Sequence, residues 1–265
     1  MNARIRYLAL LSDRPDDLAS FYARHLDLEE LGRSNDGDVS LSDGFYNLTL
    51  FNWRPELMEP KMERGLHHVG LQVDSVADVI RRYRRFDPHG LAVPEPGGLH
   101  YGTTRIFDPE CNPISLSEGP FGVEKEVRRY PRIVHIALNA INPQRILDFY
   151  TEVLGFREVG ANHLYRQRGR LNCFAGDGVT NLAIHPFYCD AEGHESRFGI
   201  NHFGFLVADQ AKRIKTMGEF LPTAERPADR PFAEYRLHDP EGNKFDLAQG
   251  KGWEVDFDTW DAVKT

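Results

Sequence analysis

The sequence predicts an α+β fold built from four tandem β-α-β-β-β units. One strand-like segment, in which apolar and polar residues alternate, occurs four times in the chain. Each copy is followed by a segment with helical spacing of apolar residues and then by short strand-like stretches. The four copies lie at residues 4–11, 65–73, 132–139 and 199–207. The repeat decides the fold, because each unit must bury its apolar face against its neighbours.

The remaining elements follow from turn residues and apolar spacing. Helices are predicted over 17–25, 75–86, 143–153 and 208–220, and Gly155 is expected to end the third of them. Further strands of the first half are predicted near 29–33, 38–43, 45–52, 91–94, 101–107 and 113–117. Those of the second half are predicted near 157–160, 163–168, 171–175, 180–186, 223–225, 232–238 and 244–248.

The chain divides into two halves of matching spacing, joined by the charged linker 118–130. We therefore expect an N-terminal module over residues 1–120 and a C-terminal module over 130–250. Residues 251–265 form an acidic, aromatic tail for which the repeat predicts no partner.

Composition limits the possible partners. The 265 residues are 41% hydrophobic and 27% charged, which is typical of a globular protein, and the formal net charge is −8. This charge disfavours nucleic acid and anionic membranes as partners. No apolar run approaches the ~18 residues of a membrane span. The scattered cysteines Cys111, Cys173 and Cys189 suggest reduced thiols in a cytoplasmic protein.

Two motifs carry a resemblance to a known family. The third helix reads Phe149-Tyr150 and is followed by Leu154-Gly-Phe156, and the final strand is introduced by Asp239-Pro-Glu-Gly-Asn243. With the tandem units, these motifs resemble the vicinal oxygen chelate superfamily, which includes glyoxalase I, bleomycin-resistance proteins and extradiol dioxygenases. The resemblance covers about residues 4–250. It implies that each pair of units curls a mixed sheet into a half-open barrel, giving two glyoxalase-like modules.

The resemblance also implies where metal ligands would lie, on the first and last strands of each unit. In the second half these positions hold His135, Ala183, His202 and Asp246, and in the first half they hold Tyr7, Thr49, His68 and Ser115. Two imidazoles and one carboxylate on one face of an ion form the facial triad suited to Fe(II). We therefore expect metal at His135, His202 and Asp246, and a degenerate N-terminal module without metal. A vestigial site is the alternative, and His68 is better explained as a structural residue.

Three further residues are candidates for catalysis. His185 lies two residues beyond Ala183, so strand alternation points it into the same cavity as an acid–base group or substrate donor. Arg236 and His238 precede Asp246 and share one face of their strand, where Arg236 would bind an anionic substrate oxygen. A structural role is the alternative for His185. It is also the alternative for Arg236, because Arg105 occupies the same place in the first half.

The leading interpretation is a non-haem Fe(II) extradiol-type dioxygenase that cleaves an aromatic ring with vicinal oxygen donors, with O2 as co-substrate and a role in aromatic catabolism. Mn(II) or another divalent ion is possible at the same ligands, and we expect a homo-oligomer. The chain departs from the extradiol enzymes it resembles at three places. They have Glu where this chain has Asp246 and a tyrosine where it has Arg236, and their histidine aligned with Thr180 or Pro227 is missing here. Two alternatives remain: a redox-neutral lyase or isomerase using Mn, Ni or Mg, and a metal-free binding protein of the bleomycin-resistance kind.

Overall fold

The computed structural model describes residues 3–54, 63–95, 97, 99, 101–127, 129–159, 169, 171–187, 198–217, 233, 235–249 and 253. The first unit contains β1 (Arg4–Ser12), α1 (Pro15–Leu26), β2 (Glu29–Arg33), β3 (Val39–Ser42) and β4 (Asn47–Asn52). The second contains β5 (Gly65–Gln72), α2 (Val76–Phe86), β6 (Val93–Pro94), β7 (Thr104–Phe107) and β8 (Pro113–Ser117).

The third unit contains β9 (Arg132–Ala140), α3 (Pro143–Glu152), β10 (Arg157–Glu158), β11 (Cys173–Gly176) and β12 (Asn181–Pro186). The fourth contains β13 (Gly199–Val207), α4 (Gln210–Met217), β14 (Tyr235–His238) and β15 (Lys244–Gln249). The predicted strands 163–168 and 223–225, and the end of the helix predicted over 208–220, lie outside the described residues.

The strands form two sheets of the same design, which confirms the predicted α+β fold of two glyoxalase-like modules. The N-terminal module has the order β2-β3-β4-β1-β5-β8-β7-β6, and the C-terminal module has the order β10-β11-β12-β9-β13-β15-β14. In each sheet the first strands of the two units lie side by side and antiparallel, and each pairs in parallel with the last strand of its own unit. This arrangement leaves both sheets open, as half-barrels.

The local sequence explains where α3 begins and where it ends. The Asn142 side chain accepts a hydrogen bond from the backbone N–H of Arg145 at the start of α3. At its end Gly155 has a φ of 76°, and the backbone N–H of Phe156 donates to the carbonyl of Tyr150. The predicted role of Gly155 is therefore confirmed. Among the described residues no helix is long and apolar enough to cross a membrane.

Both modules share one hydrophobic core. In it, Tyr22 of α1 packs against three phenylalanines of the C-terminal sheet, and Phe149 of α3 packs against Tyr83 of α2. The opposite face of each sheet carries a smaller apolar cluster of its own. The aligned positions Tyr7 and His135 point to this second face, so each module has one face for packing and one for a site.

Buried aspartates fasten each module to the other. Asp43 accepts a hydrogen bond from the backbone N–H of Ile133 at 2.6 Å, and Asp177 accepts one from the N–H of Ile5 at 2.7 Å. Burial raises the pKa of both carboxyl groups. The two contacts are equivalent in the repeat and fix the start of β9 and of β1 against the partner module.

The repeated Asp-Pro-Glu phrase makes a second pair of such contacts. Glu110 accepts hydrogen bonds from the backbone N–H groups of Ile141 and Asn142, next to α3. Glu241 accepts from the backbone N–H of Arg14, next to α1. Each glutamate thus satisfies backbone donors beside the first turn of a helix in the other module. Through these contacts the two copies of the Asp-Pro-Glu motif fix the position of each module relative to the other.

Candidate metal centre

Three potential ligands converge on the open face of the C-terminal sheet. His135, His202 and Asp246 lie on the neighbouring central strands β9, β13 and β15, and they are 4%, 4% and 1% exposed. Their ligand atoms, one from each residue, all lie within 4.8 Å of one another. Nε2 of His202 is 3.4 Å from Nε2 of His135 and 3.4 Å from Oδ2 of Asp246.

Asparagines orient both imidazole rings. Nδ1 of His135 donates to Oδ1 of Asn181 at 2.8 Å, and Nδ1 of His202 donates to Oδ1 of Asn201 at 2.9 Å. Nε2 of His202 is 2.8 Å from Nη2 of Arg236, and because a guanidinium only donates, this Nε2 must accept. The proton of His202 therefore resides on Nδ1. With the same tautomer in His135, both Nε2 lone pairs face the centre, as a metal requires.

The donor set fits a divalent ion. Ligands about 2.1–2.2 Å from an ion and at right angles to one another are about 3 Å apart. The two edges of 3.4 Å need only a slight contraction to reach this value, and the third edge, between His135 and Asp246, lies within 4.8 Å. Two neutral imidazoles and one carboxylate suit Fe(II), Mn(II) and related ions.

The guanidinium of Arg236 balances the negative charge of the Asp246 carboxylate at this site. Arg236 on β14 lies in register with Asp246, and its Nε and Nη2 donate to Oδ1 and Oδ2 of Asp246 at 2.8 and 3.1 Å. Its side chain is 12% exposed. This bidentate pair, together with the bond to His202, joins two of the three potential ligands.

Trp253 forms the wall behind His135. Its ring stacks on the imidazole with centroids 4.6 Å apart and planes only 2° from parallel, and it is 1% exposed. It passes directly over Gly204, where an added Cβ would lie 2.5 Å from the indole. The expectation that the tail has no partner in the repeat was therefore wrong at Trp253. Phe121 stacks in the same way on Tyr7, over Gly70, in the other module.

His185 also lies beside the triad. Asn181, Ala183 and His185 alternate along β12, and the His185 ring lies 6.2 Å from that of His202, only 16° from parallel. With the amide of Asn172 donating to Nδ1 of His185 at 2.7 Å, the ring carries its proton on Nε2. Ala183 is fully buried and brings no ligand atom. His238 is half-buried in register with Lys244, two residues beyond Arg236.

The equivalent positions of the N-terminal module hold a hydrogen-bonded network. Oε1 of Glu95 accepts from Nε of Arg105 and from Oγ of Ser115, both at 2.7 Å. The Glu95 side chain is 1% exposed, and the sequence analysis had not identified it. Nδ1 of His68 lies 2.7 Å from Nδ1 of His67. Within the described ranges no second group of three metal-ligating side chains converges as the first does.

Residues 4–126 and 132–247 each match the family model of the Glyoxalase/Bleomycin resistance protein/Dioxygenase superfamily. The chain belongs to this superfamily. The matched segments include the triad and the arginine beside it, and the description of the superfamily names glyoxalases, bleomycin resistance proteins and dioxygenases. No curated protein sequence matches the chain.

Several solved structures are similar to this chain over nearly its whole length. The 2,3-dioxygenase LapB from Pseudomonas sp. KL28 has a TM-score of 0.64 and 16% identity, covering 95% of this chain and 92% of that one. Homoprotocatechuate 2,3-dioxygenase from Arthrobacter globiformis has a TM-score of 0.68 and 16% identity, and the match covers 94% of this chain and 80% of that one. The Mn(II)-bound glyoxalase from Novosphingobium aromaticivorans has a TM-score of 0.63 and 22% identity, and the match covers 96% of this chain and 84% of that one. At these identities the likeness establishes the fold.

Proposed function

We propose that this superfamily member is an Fe(II)-dependent dioxygenase of the extradiol type, which cleaves an aromatic ring carrying vicinal oxygen donors. His135, His202 and Asp246 would hold the iron. One observation carries the proposal: three buried ligand atoms converge within 4.8 Å while the fourth position is Ala183. A facial triad leaves up to three of the six positions of an octahedral ion for other ligands.

The iron, when bound, would bring an electron-rich ring and O2 together. This chemistry needs room for an aromatic substrate and for O2 beside the three ligands, which the small Ala183 side chain at the fourth position would leave and which a redox-neutral reaction does not need. His185, whose ring lies 6.2 Å from that of His202, is proposed as the acid–base group, which would donate a proton from its imidazolium form and return to the neutral ring. The positive charge of Arg236 favours a substrate that binds as an anion. His238 is kept as a weaker catalytic candidate on the same strand.

A redox-neutral reaction is the second candidate. Two observations favour it: an arginine, Arg236, stands where extradiol enzymes carry a tyrosine, and a Mn(II)-bound glyoxalase is among the similar structures at 22% identity. In that case the same three ligands would hold Mn(II) or a similar ion as a Lewis acid. Metal-free ligand binding is the third possibility. A cytoplasmic location and a homo-oligomeric state stay predictions.

Oxygen uptake separates these functions. The protein is loaded with Fe(II) without air, mixed with catechols, aminophenols and hydroquinones, and exposed to O2 in an electrode cell. We expect uptake with at least one ring substrate, and none with His202→Ala, which lacks a ligand. Turnover only with Mn(II), on a hemithioacetal or an epoxide, would establish the redox-neutral reaction instead. A protein that binds no metal would overturn both proposals.

A further inference from the structure

Arg236 uses the same lone pairs that a metal ion would need. Its Nη2 donates to Nε2 of His202 at 2.8 Å and to Oδ2 of Asp246 at 3.1 Å. These are the two atoms whose separation of 3.4 Å matches one edge of a coordination polyhedron. A nitrogen lone pair that accepts a hydrogen bond cannot ligate an ion at the same time. The guanidinium and a metal ion are therefore alternatives at His202.

We propose that Arg236 is an internal cation that closes the metal-free site and must release His202 when a metal ion enters. This inference rests on the metal binding proposed above. Two groups of a divalent-metal site, an imidazole and a carboxylate, are buried here at 4% and 1% exposure. Without an opposite charge, a buried carboxylate is costly. Arg236 supplies that charge whenever the ion is absent, so the folded site persists without metal.

One contact of Arg236 does not involve the edge between His202 and Asp246. Nε of Arg236 donates to Oδ1 of Asp246, the oxygen that lies outside the His202 edge. This bond is compatible with a metal on Oδ2 and would hold the carboxylate as a single-oxygen ligand. Metal entry thus requires a movement of the end of one side chain.

The N-terminal module contains an equivalent arginine–carboxylate pair in which neither group is a proposed metal ligand. Arg105 occupies the position of Arg236, and its Nε donates to buried Glu95, which also accepts from Ser115 at the ligand position. In that module the guanidinium has a carboxylate partner that comes from outside the ligand positions. In the C-terminal module the carboxylate partner is itself a proposed ligand, Asp246. Only the second arrangement places an arginine in competition with a metal.

The test is a change in metal affinity. Mn(II) is titrated into metal-free wild type and Arg236→Met by calorimetry, with free Mn(II) followed by electron paramagnetic resonance. Methionine keeps much of the side-chain volume and removes the competing donors. We expect Arg236→Met to bind Mn(II) at least ~10-fold more tightly and to unfold at a lower temperature without metal. Arg105→Met, the matched change in the other module, should leave the Mn(II) affinity unchanged.

A purely supporting role predicts the opposite sign. Loss of a group that only orients ligands lowers metal affinity by about 10–100-fold. Equal or weaker binding by Arg236→Met would therefore overturn the inference while leaving the proposed function intact. Absence of Mn(II) binding in both proteins would overturn the proposed function and the inference together. If Arg236→Met does not fold, wild-type crystals grown with and without Mn(II) decide: the inference requires that Nη2 leaves His202 in the Mn(II) form.

Discussion

The two modules place different chemistry on the same frame. Each has an arginine at the same position of its penultimate strand, which is β7 or β14. Each also has an aromatic ring that lies over a glycine, on β5 in one module and on β13 in the other. The N-terminal module fills the ligand positions with Tyr7, Thr49, His68 and Ser115, whereas the C-terminal module has His135, Ala183, His202 and Asp246. The frame is thus independent of the metal site. Changes at a few positions distinguish a structural network from a candidate metal centre.

The comparison also shows how a buried charge is balanced. Glu95 has a permanent cation in Arg105, and a second donor in Ser115. Asp246 has Arg236, but it also faces two imidazoles whose Nε2 lone pairs point at the same centre. The C-terminal module therefore has two ways to balance its carboxylate, an arginine or an ion. The predictions below test this difference, beginning with the largest effect.

The largest effect is expected from His185→Ala. The repeat places Phe51 at the position of His185, so only the C-terminal module has a titratable group there. If His185 transfers a proton, the variant should keep its metal and lose turnover by a factor of about 10²–10⁴. Metal content and steady-state rate with the substrate found by oxygen uptake are the measurements. An unchanged rate would return His185 to a structural role.

The stacked aromatic residues test how far the frame is shared. Trp253→Ala and Phe121→Ala each remove a buried ring, so both should lower the free energy of unfolding by about 3–5 kcal/mol in urea titrations. Only Trp253→Ala should weaken Mn(II) binding, because its ring supports His135. Trp253→Phe, which keeps a ring, should restore most of both quantities. Equal Mn(II) affinity in all three variants would show that the stacking has no part in the site.

The asparagines give a second matched pair. Asn181 orients His135, while Asn47, at the same repeat position, donates to the carbonyl of Phe121. Asn181→Ala should lower Mn(II) affinity by about 10–100-fold, since it leaves the His135 ring without its orienting acceptor. Asn47→Ala should lower stability without changing that affinity. A calorimetric titration in which both variants bind like wild type would contradict the assigned tautomer of His135.

The smallest effect is a pH dependence at the module interface. Burial raises the pKa of Asp108 from its usual 3.8 to about 6. The folded chain then holds this proton more tightly than the unfolded chain, so the group adds about 1–3 kcal/mol of stability as the pH falls from 6 to 4. Its contribution is lost as the pH rises through 6. Urea unfolding of wild type and Asp108→Asn across this range measures the difference.

Asp239, the equivalent aspartate, supplies the internal control. Burial raises the pKa of this carboxyl as well, but it also accepts a hydrogen bond from the Tyr22 hydroxyl at 2.8 Å. Because that bond favours the ionised form, a carboxyl carbon NMR titration should give Asp239 a lower midpoint than Asp108. A midpoint of Asp108 near 4 would contradict the assigned effect of burial.

The sequence predicted most of the fold because its signals are local. Alternation, helical spacing and the turn residues identified the units, and the repeat aligned His135 with His202 without any structure. Strand register then explains why those residues and Asp246 meet, since the strands that carry them are neighbours in the sheet. Asn181 had a detectable signal as well, because it shares its repeat position with Asn47.

Other features of the site depend on contacts between distant segments. Trp253 follows Asp246 by seven residues and Phe121 follows Ser115 by six, but spacing alone does not show that either ring turns back over a glycine. The pairing of Glu95 with Arg105 requires two strands to adopt one register. Likewise the bidentate pair between Arg236 and Asp246 depends on side-chain conformation, which strand periodicity does not determine.

Metal stoichiometry tests the central claim most directly. The protein is purified without air, loaded with Fe(II), freed of excess ion and analysed by elemental mass spectrometry beside His202→Ala and His68→Ala. One ion per chain is predicted for wild type and for His68→Ala, and almost none for His202→Ala, because only the C-terminal module has three converging ligands among the described residues. Two ions per chain, or iron retained by His202→Ala, would contradict this account.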